Sequence, residues 1–212
     1  MLNRLKKLNP EIPFYSIHDA AFARYGLVVQ GGCGAAAGAQ VPMPESGTVY
    51  VASFAALEAD AGIQALCGRF GGVPAQAGYC CGYNTLTASL EYHKSPEVLV
   101  ALTPLVLVLG LPDRWQDGGL AGSQLEAFYL DAGDVVEVLP NVWHFAPCQV
   151  TDSGFRSVII LPAGTNLNLD QPSADPLLFR KNKWLITHTG NQATINKGVQ
   201  PLLTGDVVDI RY

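Results

Sequence analysis

The chain has 212 residues, of which 49% are hydrophobic and 15% are charged, and its formal net charge at pH 7 is −5. This length fits a single domain with a sizeable core, and the absence of a large cluster of Lys and Arg excludes the electrostatic footprint of a nucleic-acid-binding protein. The sequence has neither a signal-peptide pattern nor an apolar stretch long enough to cross a bilayer, so we expect a cytoplasmic protein with no membrane partner.

Five cysteines are present, and their odd number without a secretion signal predicts reduced thiols. Cys80 and Cys81 are adjacent, which leaves three interpretations open: a redox pair, a site for a soft metal ion, or two small buried residues at the entry to a strand. We favour the last, because free cysteine commonly behaves as a small buried apolar residue.

The first half of the chain is predicted to form short strands separated by turns and loops. The residue pattern predicts a helical turn over 19–25 and strands over 25–30 and 49–53. The spacing of apolar residues predicts a helix over 54–66, and the glycines of 71–82 predict a loop.

A polar face follows one side of a single strand predicted over 83–93. The alternate residues on that face are Tyr83, Thr85, Thr87, Ser89, Glu91 and His93. Because successive side chains of a strand point to opposite faces, the mostly apolar residues between them suit a core. Small hydroxyls that lead to an acid and a histidine are typical of the lined interior of a small β-barrel with a site at its mouth. We therefore predict that Tyr83, Thr87 and Ser89 contact a substrate.

The second half of the chain is predicted to be almost entirely β. Strands are predicted over 97–103, 105–109, 135–139, 142–150 and 155–161, with a C-terminal segment over 177–188 and a last strand within 205–212. Many short strands with turn residues between them are typical of a β-sandwich or a β-barrel.

Four candidate metal ligands come from two distant parts of the chain. They are Glu91, His93, Glu97 and His144. Imidazole and carboxylate ligands together suit a divalent Zn, Mn, Fe, Ni or Co ion, and this set leaves coordination positions open for water or a small-molecule substrate. The alternatives are a structural role for His144, a solvated position for Glu91, and for Glu97 a turn cap or a pair with Lys94.

Two further residues are candidates for catalysis. Glu137 lies between Val136 and Val138, where an unpaired acid would be costly to bury. It therefore faces either solvent or the pocket, and we favour the pocket and a role in proton transfer. Lys94 is the second candidate because it is next to the site, although its alternation relative to His93 predicts that it points away.

The segments that carry these residues resemble the two motifs of cupins. They are Glu91-x-His93-x(3)-Glu97 and, later, Gly133-Asp134 followed by Pro140-x-x-x-His144. Glu91 stands where the first cupin motif has a histidine, and the second motif is one residue tighter than usual and lacks its glycine. The resemblance implies a mainly β, cupin-type double-stranded β-helix (a jelly-roll barrel) with a few short helices. It also implies a single domain over 1–212 with N-terminal and C-terminal extensions packed on the barrel, and it permits a homodimer.

Longer segments are similar to two groups of proteins. The segments EYHKSPEVLVALTPLVLVLG and FYLDAGDVVEVLPNVWHFAP are similar to ureidoglycolate lyase, itself a cupin. Nearly the whole chain resembles a bacterial cupin-like family of unknown function, on the segments GYCCGYNTLTASLEYHKSPEV, LPNVWHFAPC and KNKWLITH. The second resemblance implies a fold rather than an activity.

These observations favour a metal-dependent cupin enzyme, an isomerase, epimerase or lyase. Its substrate would be a small polar metabolite such as a sugar, a hydroxy acid or a ureido acid. One alternative is a cupin that binds a sugar or an acid without turnover, and bound metal is the feature that separates these two. Another is a structural module, which predicts that Glu91 and His93 are both solvated, with no cavity between them.

Overall fold

The computed structural model describes residues 1–116 and 118–212, and most of the regular structure in this part of the chain is β. The strands are β1 Phe14–Ser16, β2 Gly26–Val28, β3 Thr48–Val51, β4 Ala75–Gly82, β5 Leu86–Thr87, β6 Ser89–Tyr92, β7 Glu97–Ala101, β8 Leu105–Leu109, β9 Leu120–Ala121, β10 Glu126–Leu130, β11 Val135–Val138, β12 Cys148–Gln149, β13 Phe155–Pro162, β14 Leu178–Arg180, β15 Lys183–His188, β16 Gln200–Thr204 and β17 Val208–Asp209.

The helices are short. The α-helices are α1 Leu2–Leu8, α2 Ala35–Gly38, α3 Ala55–Glu58, α4 Ala61–Cys67 and α5 Gln192–Ile195, and 3-10 turns cover Ala20–Arg24, Gly68–Phe70, Pro112–Arg114 and Gly122–Gln124. Within the described residues, no helix has the length and apolar character that a membrane crossing requires.

Two sheets pack face to face and enclose the main core. One has the strand order β2-β11-β7-β13-β4-β3, and the other has the order β1-β10-β8-β12. Leu99 and Val136 of the first sheet belong to the same buried cluster as Leu107 and Phe128 of the second. The inner faces of the two sheets therefore form one apolar layer, as in a β-sandwich.

The chain crosses repeatedly between these two sheets. The steps from β7 to β8, from β10 to β11 and from β12 to β13 each join a strand of one sheet to a strand of the other. This is the connectivity of a jelly roll. The prediction of a mainly β jelly-roll barrel of the cupin type, with a few short helices, is confirmed.

Both sheets are also covered on their outer faces. Val98 of β7 belongs to a buried cluster with Ile63 of α4, and Val106 of β8 belongs to another with Ile186 of β15. Every residue of β7 and β8 is consequently buried. Apart from Glu97 at the start of β7, their sequences are continuously apolar because neither face meets water.

The segment 71–82, predicted to be a loop, instead contains β4. This strand pairs with β13 along its whole length and with β3 on its other side. A Cβ atom on Gly78 would lie 1.8 Å from the carbonyl oxygen of Val51. Gly78 therefore allows the backbones of β3 and β4 to approach closely and does not mark a turn.

Two other predicted elements are each divided. The helix predicted over 54–66 is split into α3 and α4, because the Asp60 side chain accepts a hydrogen bond from Ile63 N and begins a second helix. The single strand predicted over 83–93 is split into β5 and β6, which pair with β17 and β15 respectively. The alternation seen in the sequence therefore does not extend over one continuous face.

The two ends of the chain are tied together by Asn9. Its Nδ2 atom donates to the carbonyl oxygen of Arg211 at 2.8 Å, and its Oδ1 atom accepts from the amide of the same residue at 2.8 Å. Asn9 is 1% exposed, so its side chain is buried while it makes both bonds.

Candidate metal centre

A backbone bridge brings the two predicted motifs together. The amide of Glu91 donates to the carbonyl oxygen of His144 at 2.7 Å, and the amide of His144 donates to the carbonyl oxygen of Glu91 at 2.8 Å. The ring centroids of His93 and His144 consequently lie 5.2 Å apart. The expected convergence of the two segments is present.

Each histidine is held through its Nδ1 atom. His93 Nδ1 donates to the carbonyl oxygen of Asn182 at 2.5 Å, and His144 Nδ1 donates to that of Val142 at 2.9 Å. These bonds assign the Nδ1–H tautomer to each neutral ring and leave Nε2 as an acceptor. Both Nε2 atoms are buried and have no hydrogen-bond partner among the described residues. A backbone-anchored imidazole with a free buried Nε2 is the usual arrangement of a metal-binding histidine.

Two carboxylates face these nitrogen atoms. Glu97 Oε2 lies 3.6 Å from His93 Nε2 and 3.5 Å from His144 Nε2, and Glu91 Oε1 lies 3.8 Å from His93 Nε2. Ligands bound about 2.1 Å from one ion are about 3.0 to 3.4 Å apart, so small adjustments would bring these atoms to a common ion. Ligand atoms of Glu91, His93 and His144 all lie within 4.8 Å of one another. The described residues thus contain a candidate divalent metal site.

The charges of Glu97 and His144 are mutually dependent. Burial of the Glu97 carboxyl acts to raise its pKa, but the attraction of the two histidines, that of His144 first, outweighs burial and holds that pKa well below its usual range. Burial of His144 acts to lower its pKa, but the Glu97 carboxylate outweighs burial and raises the pKa of His144 to about 9. Without a metal ion, the pair is therefore a carboxylate and an imidazolium at neutral pH.

Lys183 is the charge partner of Glu91. Its Nζ atom contacts Glu91 Oε2, and the two side chains are only 19% and 13% exposed. Burial acts to raise the pKa of Glu91, but Lys183 and then the two histidines outweigh burial and lower it. Glu91 is thus ionised, with Oε1 directed at His93 and Oε2 at Lys183.

A cavity of about 330 Å³ lies beside the cluster, and all of these charged and titratable groups except His93 line it. Its polar lining includes Tyr50, Asn84, Glu91, Glu97, His144 and Lys183. Asn166 Nδ2 donates to the Tyr50 hydroxyl oxygen at 3.0 Å, which leaves the hydroxyl hydrogen for an oxygen atom in the cavity. A volume of this size fits a small metabolite.

The three predicted substrate contacts lie outside the cavity lining. The Thr87 hydroxyl is 4.0 Å from Cys148 Sγ, and the Ser89 hydroxyl lies 2.9 Å from that of Thr187, so both are used in packing between strands. Tyr83 is 37% exposed on the surface. The break between β5 and β6 separates Tyr83 and Thr87 from the strand that carries Glu91. Ser89 shares that strand and its face, but its hydroxyl is used by Thr187 of the neighbouring strand.

Neither predicted proton-transfer residue lines the cavity. Glu137 pairs with Arg69 and lies between Val136 and Val138, whose side chains belong to the core between the sheets. Alternation therefore directs Glu137 to the opposite, outer face, which corrects the expectation that it faces the pocket.

Lys94 is exposed and places its Nζ atom 4.6 Å from the centre of the Trp184 ring, so it points away as its alternation predicted.

The adjacent cysteines point to opposite faces of β4. Cys80 lines the cavity and belongs to the core between the two sheets, whereas Cys81 belongs to the cluster beneath α3 and α4. Both are free thiols. Residues on opposite faces of a strand cannot act together on one metal ion or substrate, so the interpretation as small buried residues is the one that fits.

Three residues of the site were not indicated by any pattern in the sequence. Lys183 and Tyr50 line the cavity, and Asn182 supplies the carbonyl oxygen that anchors His93. Lys183 beside Trp184 has the pattern of a solvated charge next to a buried aromatic. Only the antiparallel pairing of β15 with β6 brings this segment to the site.

Asn182 is expected to determine how firmly His93 is held. The asparagine has a φ of 55°, and its side chain bonds the Ser95 hydroxyl and the amide of Lys94. Asn182→Ala keeps the carbonyl oxygen that accepts from His93 but removes the side-chain bonds that position it. We therefore expect it to weaken metal binding by about 10-fold, the lower end of what an outer-shell change costs. Competition with a chelator measures this affinity.

Asn141→Ala is the control for backbone strain, because Asn141 also has a positive φ, of 64°, and an exposed side chain. The variant keeps the amide through which Asn141 donates to the carbonyl oxygen of His93. It should keep the wild-type affinity. Equal losses in the two variants would assign the effect to backbone strain rather than to the anchoring of His93.

The fold and the site together define a cupin-like protein: a jelly-roll barrel whose cavity holds a cluster of histidines and carboxylates. The chain belongs to the family described as Domain of unknown function (DUF4867), which matches residues 14–208. No curated protein matches the chain. The more distant similarity to ureidoglycolate lyase therefore stays a prediction.

Several solved structures are similar to part of the chain. Oxalate decarboxylase from Bacillus subtilis, in a study of its Mn(II) centres, matches with a TM-score of 0.34 and 12% identity over 55% of this chain and 24% of that chain. HEPD from Streptomyces albus, with 2-hydroxyethylphosphonate and Fe(II) bound, matches with a TM-score of 0.31 and 12% identity over 44% of this chain and 19% of that chain. The chain thus spans about a quarter or less of the length of these two proteins.

Proposed function

We propose that this protein is a metal-dependent enzyme that acts on a small polar metabolite. The observation that carries the proposal is the pair of buried Nε2 atoms, on His93 and His144, that lack hydrogen-bond partners in the described part of the chain and face the Glu97 carboxylate. Unpaired buried polar atoms are costly unless a ligand satisfies them. Two imidazoles and a carboxylate form a donor set that suits Zn, Mn, Fe, Ni or Co.

The residues that would hold the ion are His93, His144 and Glu97, with Glu91 as a fourth candidate. Glu97 Oε2 is within 3.6 Å of both histidine Nε2 atoms, whereas Glu91 directs one oxygen atom at His93 and the other at Lys183. When bound, a divalent ion supplies Lewis acidity, which polarises a substrate oxygen and stabilises negative charge that develops on it.

The remaining groups of the cavity would bind the substrate and move a proton. Glu91 is ionised and can accept a proton. Lys183 is the ion-pair partner of its carboxylate. The Tyr50 hydroxyl can donate a hydrogen bond to a substrate oxygen. With Glu137 on the outer face of its sheet, Glu91 replaces it as the candidate for proton transfer.

Metal affinity is expected to depend on pH through His144. In the metal-free protein the pKa of this residue is raised to about 9, and an imidazole must lose its proton to bind a metal ion. Affinity should therefore rise by about tenfold for each pH unit up to about pH 9 and then level off. Chelator competition between pH 6 and 10 tests this dependence, and an affinity that is constant below pH 8 would contradict it.

Protonation of His144 also affects the stability of the metal-free protein. Because the folded-state pKa of His144 is raised from 6.5 to about 9, its contribution to stability is fully present below pH 6.5 and is lost as the pH rises through about 9. Denaturant unfolding of chelator-treated protein at several pH values measures this loss.

The reaction class that suits this set of groups is proton transfer next to a polarised carbon–oxygen bond, which serves an isomerase, an epimerase or a lyase. Candidate substrates are sugars, hydroxy acids and ureido acids. A cytoplasmic location and a homodimer are further proposals from the sequence. Fold similarity by itself does not select among these activities.

The alternative is a cupin that binds a sugar or an acid without turnover and without a metal ion. Elemental analysis of untagged protein separates the two, followed by thermal-shift screening of sugars, hydroxy acids and ureido acids with and without divalent metals. About one bound ion per chain, and a ligand-induced shift only in the loaded protein, would support the enzyme. A metal-free protein that binds the same ligands equally well would support the alternative.

A further inference from the structure

The cavity has an imbalance of charge once an ion is bound, an inference that rests on the proposed function. Its charged lining consists of Glu91, Glu97, Lys183 and His144 within the described residues. Histidines bind metal in their neutral form. The ion and Lys183 then carry three positive charges and the two carboxylates carry two negative charges, so the cavity has one net positive charge.

The position of Lys183 allows its positive charge to act on a ligand in the cavity. Its side chain is 19% exposed, and Glu91 is its only ion-pair partner in the described part of the chain. An ammonium group has three donors, so Lys183 can bond Glu91 and still donate to a ligand. A positive charge in a partly buried cavity favours an anionic ligand over a neutral one.

The other lining groups suit the same ligand. The Tyr50 hydroxyl accepts a hydrogen bond from Asn166 and can donate its own hydrogen to an oxygen atom, and the two histidine Nε2 atoms face the Glu97 carboxylate, where an ion would bind. An α-oxygenated carboxylate offers two adjacent oxygen atoms to an ion and one negative charge to the ammonium group.

We propose that the cavity is selective for small monoanionic α-oxygenated carboxylates over neutral polyols, and that Lys183 is the residue that determines this selectivity. The resident ion would bind adjacent oxygens in either class of compound. Lys183 would distinguish them by charge.

Glycolate and ethylene glycol are matched probes, because they have similar size and both offer two adjacent oxygen atoms. The full chain is first loaded with metal and its metal content is measured, and the dissociation constants of both probes are then measured by calorimetry. We expect glycolate to bind at least about tenfold more tightly than ethylene glycol, as a hydrogen bond to a charged group predicts. Lys183→Met should abolish this preference and Lys183→Arg should retain most of it.

Lys181→Met is the control for loss of a positive charge, because Lys181 is paired with Asp170 outside the cavity. It should bind both probes as the wild type does. Loaded wild-type protein that binds the two probes equally would overturn the inference and leave the proposed function standing. Equal loss of glycolate preference in the Lys181 and Lys183 variants would overturn the role of Lys183. Wild-type protein that takes up no ion would overturn the proposed function and the charge imbalance with it.

Discussion

Untagged protein carrying His144→Ala or His93→Ala is expected to retain almost no divalent metal, whereas the wild type should hold about one ion per chain. Each substitution removes one of two imidazoles whose Nε2 atoms are buried and face the Glu97 carboxylate. The loss of affinity should exceed about a hundredfold, the upper end of what an outer-shell change costs. Elemental analysis after dialysis against a fixed metal concentration gives the stoichiometry.

His18→Ala is the control for this experiment. His18 has a side chain that is 64% exposed and lies 3.8 Å from Asp134, away from the cavity. Its removal should leave metal content unchanged. Full metal content in both site variants, with a folded structure verified by circular dichroism, would exclude these histidines as ligands.

Replacing Phe128 by alanine is expected to produce the largest loss of stability. Phe128 is fully buried between the two sheets, and its ring lies 5.7, 5.3 and 4.9 Å from the rings of Tyr15, Phe22 and Tyr25. Truncation removes buried apolar area and leaves a cavity, so the free energy of unfolding should fall by about 3 to 5 kcal/mol. Chemical denaturation of the metal-free protein measures the change.

Tyr83→Ala provides the comparison for that measurement, because it also removes an aromatic ring but from a side chain that is 37% exposed. Its cost should stay below about 1 kcal/mol. A similar loss in both variants would mean that Phe128 does not occupy the centre of a close-packed core.

The candidate ligands stood out in the sequence because they follow short, chemically distinctive patterns. The spacing of Glu91, His93 and Glu97 limits how far apart these side chains can lie, whatever the rest of the fold does. The contribution of His144 required a match to a second motif, because its approach depends on backbone bonds with Glu91, a residue 53 positions earlier. The resemblance to cupins supplied what local spacing could not.

Glu137 does not face the cavity as expected, and the reason is that both faces of its sheet are buried. Val135, Val136 and Val138 are all buried, because both faces of their sheet are covered. When no face meets water, alternation of polar and apolar residues carries no information about which face points to the cavity. The ion pair with Arg69 then satisfies an acid on the outer face.

The sequence by itself determined that the chain is mainly β, that it follows the cupin pattern, and that an acid and a histidine lie next to a sharp corner before two apolar strands. Those features depend on residue type and on local alternation, which act over a few residues. Only the tertiary structure decided which polar groups share the cavity. It brought in Lys183 and Tyr50 and directed Glu137, Thr87 and Ser89 elsewhere, because pairing between distant strands determines the direction of each side chain.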